Sequence, residues 1–117
     1  MKLVELLQPE DLNLKVEYPA GIERVIKQGL VELSPWHIMD RELAKQRLHG
    51  LRERYQKMYV PFAWRQDNDD IACLEVERPG RVVIVHDFAS EGYERRQEFP
   101  SFWDWFRAAV EDMIAFE

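Results

Sequence analysis

IACLEVERPGRVVIVH, residues 71–86, and SFWDWFRAAVEDMIAF, residues 101–116, decide the fold. In the first, Ala72, Leu74 and Val76 alternate with Ile71, Cys73, Glu75 and Glu77, the period of two of a strand. Arg78-Pro79-Gly80-Arg81 is a turn signal. Val82 to His86 is apolar on both faces, so it belongs inside a sheet, and the two segments predict a hairpin. In the second, Ser101 with Asp104 three residues on reads as a capping box. Phe102, Phe106, Ala109, Met113 and Phe116 line one meridian of the helix. Trp105 flanks them on one side, and Trp103, Val110 and Ile114 on the other. Asp104, Arg107, Glu111 and Asp112 face away. An apolar arc of that width lies across a sheet, so the fold class is α+β, an antiparallel sheet with helices packed on it.

The rest of the chain fits around this frame. Tyr59 to Trp64 reads as a strand, with Pro61 favouring an edge or first position. Residues 66–70, QDNDD, form a polar turn. Asp87 to Gly92 is a loop, and Tyr93 to Phe99 a short outer strand. Asp40 caps a helix from about Arg41 to Lys57. Ala44, Leu48, Leu51, Tyr55 and Met58 form its apolar stripe, and Gly50 costs it about 1 kcal/mol relative to alanine. Leu30 to Leu33 is an edge strand, turned at Ser34-Pro35. Ile22, Val25 and Ile26 are at helical spacing, with Gly29 as the stop. Leu12, Leu14 and Val16 alternate as a short strand. Leu3, Val4, Leu6 and Leu7 predict helical turns ending near Pro9. No linker, repeat or low-complexity segment interrupts the 117 residues, which predict a single domain over 1–117.

Composition narrows the function classes. Sixteen Lys and Arg against 22 Asp and Glu give a net charge of −6, contrary to the basic face that nucleic acid requires. The single cysteine forms no internal disulfide and no Cys-based zinc cluster, and a reducing compartment is expected. No apolar run approaches a bilayer span, and MKLVELLQPED turns acidic too early for a secretory signal. A cytoplasmic location is the expectation.

Candidate chemistry is sparse. Read as a calcium loop from Asp67, the acidic turn fails at Ile71, Ala72 and Arg78, where an oxygen ligand, glycine and an acid are required. A solvated turn with local backbone hydrogen bonds is expected instead. His86-Asp87 has no serine or cysteine at recognisable spacing, with Ser90 four residues on. His37 and His49 lack zinc-site context. Cys73 reads as a small buried hydrophobe. The isolated glycines make no nucleotide fingerprint. No catalytic, cofactor or metal set emerges. The four tryptophans divide: Trp103 and Trp105 belong to the core, while Trp36 and Trp64, beside turns, are candidates for a groove.

VPFAWRQDNDDIACLE at residues 60–75 and GRVVIVHDFASEGYERRQEFPSFWDWFRAAVEDMI at residues 80–114 resemble the C-terminal half of the SUKH superfamily, which includes fungal cell-wall-assembly regulators and bacterial toxin-immunity proteins. The marks are Pro61-Phe62-Ala63, the Asp/Asn turn before a strand carrying Asp70 and Cys73, the strand Val82–Val85, and Ser101, Phe102, Trp105 and Phe106 at the start of the last helix. Pro35-Trp36-His37-Ile38 adds a strand-end element. The resemblance implies a SUKH-like α+β fold, no enzyme activity, and direct binding of a protein partner such as a toxin domain. The candidate partner-binding residues are Trp36, Trp64, Asp67, Asp69, Asp70, Glu91 and Glu94, an acidic rim around exposed aromatic area. Two other readings stay open: a structural or self-associating domain, and a small hydrolase using His86.

Overall fold

The computed structural model describes residues 4–12 and 17–116. Six strands form one antiparallel meander: β1 (Glu32–Leu33), β2 (Trp36–Ile38), β3 (Tyr59–Arg65), β4 (Asp70–Glu75), β5 (Val82–His86) and β6 (Arg95–Phe99), side by side in chain order. Among the described residues four helices accompany them: α1 (Pro9–Leu12), α2 (Ala20–Lys27), α3 (Arg41–Arg54) and α4 (Phe102–Ala115). Consecutive strand residues point to opposite faces. Burial of every residue from Val82 to Val85, and from Ile71 to Glu75, therefore means that both faces are covered. From α4, Phe102 and Trp105 meet Phe62 at ring separations of 5.8 and 5.0 Å. At the end of α3, Tyr55 meets Tyr59 edge to face.

The caps form as the sequence dictates. Asp40 Oδ1 accepts from the Leu43 amide at 2.9 Å, and Ser101 Oγ accepts from the Asp104 amide at 3.2 Å. The shorter Asp104 side chain takes the Ser101 hydroxyl at 2.8 Å. Gly29, at φ 75°, ends the turn after α2, and β1 and β6 occupy the sheet edges.

Several expectations are corrected. Pro61 is neither at an edge nor first in its strand: β3 lies between β2 and β4. The β2 ladder reaches only Ala63, and a bulge falls between Pro61 and Ala63, so the missing N–H of Pro61 is not needed there. Residues 4–8 are not helical. The helix begins at Pro9, whose fixed φ suits a first helical position, while Asp11 Oδ2 accepts from the Gln8 amide at 2.8 Å. The strand expected over residues 12–16 lies outside the described residues, apart from Leu12, which ends α1. α3 stops at Arg54, short of Lys57. On α4 the buried arc narrows to Phe102, Trp105 and Ala109. Phe106 is half-buried, Trp103 is 40% exposed and Ile114 68% exposed. Asp112 does not face away but accepts from the Trp36 indole at 2.9 Å and from Arg65 at 3.2 Å.

The end of the sheet near the β4–β5 turn is tied by charge. Glu75 is buried and takes Arg78 at 2.8 Å and Arg95 at 3.0 and 3.2 Å. Glu98 takes Arg78 at 2.5 Å and also pairs with Arg95. Arg78 first, then Arg95, holds the Glu98 carboxyl down at about 2. A carboxyl depressed on folding adds stability above its unfolded pKa and loses it as pH falls through the folded value. Glu98→Gln is therefore expected to flatten the fall in stability between about pH 5 and pH 2. Urea melts at pH 6, 4 and 3 measure this. An unchanged acid limb would remove Glu98 from the linkage. The effect weakens in 1 M salt, because the pair is exposed.

Candidate functional site

The meander register fixes where the candidate residues go. Asp70 opens β4 and pairs with His86, which ends β5. The turn before β4 and the loop after β5 therefore leave the sheet at the same end. A backbone hydrogen bond from the Asp87 amide to the Asp69 carbonyl, 3.0 Å, joins them directly. The Gln66 amide donates to the Pro35 carbonyl at 2.8 Å, bringing the start of β2 to the same end.

Trp64, Asp67, Asp69 and Asp70 gather here, with Glu91 exposed in the neighbouring loop. Trp64 is half-buried and stacks on His37, ring centroids 4.6 Å apart. His37 Nε2 pairs with Gln66 Oε1. Asp67 takes Arg65 at 2.6 Å, a bond that pulls its carboxyl below the usual range. Asn68 Oδ1 accepts from the Asp70 amide at 2.8 Å, the local side-chain-to-backbone bond expected of such a turn. Asp70 Oδ1 contacts His86 Nδ1 at 2.9 Å.

Two candidates are displaced from the rim. Trp36 is 4% exposed; it packs edge to face on Trp105 at 5.5 Å and spends its indole N–H on Asp112. Position beside a turn does not expose it, because α4 covers β2. Glu94 is also buried, 4% exposed. It takes the Tyr59 hydroxyl at 2.8 Å and the Gly92 amide at 2.7 Å, so it braces the loop from beneath. Burial raises the Tyr59 phenol well above its ordinary value.

The exposed aromatic area comes instead from Phe88, 63% exposed, and Tyr93, 77% exposed, neither singled out by the sequence. Phe88 has φ 68°, a left-handed conformation costly for a bulky residue. The surroundings hold it. Asp87 Oδ1 accepts from the Phe88 amide at 3.0 Å, and the Tyr55 hydroxyl donates to the Ala89 carbonyl at 2.8 Å. The Arg54 guanidinium lies 4.3 Å from the Phe88 ring centre. Asp87, read from sequence as part of a loop, is 1% exposed and is the anchor of this end. Its Oδ1 takes Arg54 Nε at 3.0 Å and Arg54 Nη2 as well. Gly50 makes room for that route across α3: an added Cβ would stand 2.9 Å from Arg54 Nη2. The acidic residue directly after a strand and the helix-interior glycine were the available signals.

Cys73 is fully buried, and burial pushes its thiol well above the ordinary value, which disfavours a thiolate. Among the described residues, no group of three or more His, Cys, Asp and Glu is arranged to hold a metal ion. No helix among them is long and apolar enough to cross a membrane. Comparison with family models, curated proteins and solved structures finds no match for the chain.

Proposed function

We propose that this chain is a non-enzymatic protein-binding module of the toxin-immunity type, acting through the sheet end formed by the β3–β4 turn and the 87–92 loop. The supporting observation is the Asp87–Asp69 backbone bond, which merges two acidic loops into one surface. Asp69 and Glu91 are exposed there and make no side-chain hydrogen bond or ion pair among the described residues. Phe88 and Tyr93 supply exposed rings beside them. Unpaired carboxylates raise the association rate of a basic partner, and desolvated aromatic rings slow its release. The sequence resemblance to the SUKH superfamily, with its immunity proteins, points the same way.

The charges to reverse are those without structural duties. Asp67 holds Arg65 and Asp70 holds His86, so reversing either disturbs the turn itself. The full chain and its Asp69→Lys/Glu91→Lys variant serve as baits in lysate of the native cell. The expected result is a basic partner retained by the wild type and bound at least tenfold more weakly by the variant, with the difference shrinking in high salt. Equal capture by both baits at low and high salt would overturn the surface. Recovery of this chain alone would overturn the immunity reading.

A further inference from the structure

Resting on the binding-module reading, we propose that the small pocket between the β3–β4 turn and Phe88 is a socket for one lysine side chain of the partner. The pocket holds about 140 Å³, and its walls include Arg47, Trp64, Asp69, Asp70, Asp87 and Phe88. At about 30 Å³ per water, that is the space of four or five waters, enough for one long side chain.

Its polar groups are incompletely matched from within. Asp87 Oδ1 is taken by Arg54 and the Phe88 amide, but Oδ2 accepts no hydrogen bond although the side chain is 1% exposed. Arg47 Nη1 forms an ion pair with that oxygen at 3.8 Å, too long for a hydrogen bond. A buried carboxylate oxygen without a donor carries a desolvation cost that an incoming donor relieves. Asp69, on the same wall, has an unpaired carboxylate.

The charge balance selects the sign of the guest. Arg65 is tied to Asp67 and Asp112, and Arg54 and Arg47 to Asp87, while Asp69 has no cation partner among the described residues. Three arginines against five aspartates leave this end negative. An ammonium brings a compact charge and three donors, which suits a small space already bordered by planar guanidiniums. Trp64 and Phe88 offer apolar wall to the lysine stem. Arg47 Nε, the other buried atom here without a partner, is a donor and would take a main-chain carbonyl of the inserted segment.

The test is a titration of the isotope-labelled full chain with the peptide acetyl-Gly-Lys-Gly-amide, followed by backbone amide shifts. The comparison peptides carry Nε-acetyl-lysine, arginine or glutamine at the central position. The expected result is a saturable shift at Asp69, Asp87 and Phe88 with the lysine peptide. Binding should weaken at least tenfold on Nε-acetylation and at least tenfold in Asp69→Asn, a variant that keeps the backbone carbonyl bonded to Asp87. No saturable shift at these amides, or equal binding of the acetylated, arginine or glutamine peptide, would overturn the socket. The two proposals fail separately. A surface-dependent partner without lysine binding removes the socket alone, and lysine binding without such a partner removes the module reading alone.

Discussion

Replacing Trp105 with alanine is expected to cost about 3–5 kcal/mol of stability, the range for removing a fully buried tryptophan. The ring is 1% exposed and sits where α4 meets the sheet, 5.0 Å from Phe62, 5.5 Å from Trp36 and 5.6 Å from Phe102. Neighbouring rings held by so many partners cannot collapse into the space without leaving their own positions. Phe106, the residue the helical wheel places on the central meridian, is only half-buried, so its truncation should cost less than that of Trp105. Trp105→Phe provides a second check. The indole N–H is buried without a hydrogen-bond partner, so removing it takes away an unmet donor while keeping an aromatic ring. Urea melts of the three variants should rank Trp105→Ala as the most damaging. A loss below about 1 kcal/mol for Trp105→Ala would contradict a core centred on this ring.

Arg54→Ala should cost a comparable amount, about 3–5 kcal/mol, because it strands a buried charge. Asp87 would keep the Phe88 amide but, among the described residues, only one cation partner, Arg47, 3.8 Å away, while remaining 1% exposed. The reverse change, Asp87→Ala, should cost less through charge alone, since the Arg54 side chain is 29% exposed and can turn to water. It would nevertheless remove the acceptor for the Phe88 amide, so the loop should loosen in both variants. Denaturant melts give the stability order, and amide exchange at Phe88 and Ala89 reports the loop. Equal, small losses in both variants with unchanged exchange would show that Asp87 does not anchor this end.

Much of the architecture is legible in the residues. The Pro79-Gly80 turn between two apolar runs, the Asp40 and Ser101 caps and the aromatic start of α4 each follow from local chemistry. The joining of the acidic turn to the 87–92 loop also follows once 71–86 is read as a hairpin, because the segments flanking a hairpin emerge at one end. What stays hidden depends on packing across the sequence. Trp36 looks like a surface ring beside a turn, yet α4 closes over it. Glu94 looks like a solvent-facing carboxylate of a charged outer strand, yet the Tyr59 hydroxyl and the Gly92 amide draw it inward. Phe88 gives no sequence sign of its left-handed backbone, which depends on Arg54 and Asp87 being brought together from α3 and the end of β5. Met113 and Ile114 lie on or beside the apolar meridian of the helical wheel, yet both are exposed, because periodicity reports a face and not how far along the helix that face is covered.

The most direct test of the binding surface is amide hydrogen exchange of the full chain, free and bound to the partner recovered from its native cell. The proposed mode predicts strong slowing over residues 66–70 and 87–93, with little change on the exposed side of α4 around Trp103, Met113 and Ile114. Slowing confined to α4, with the two acidic loops exchanging as freely as in the unbound chain, would contradict it.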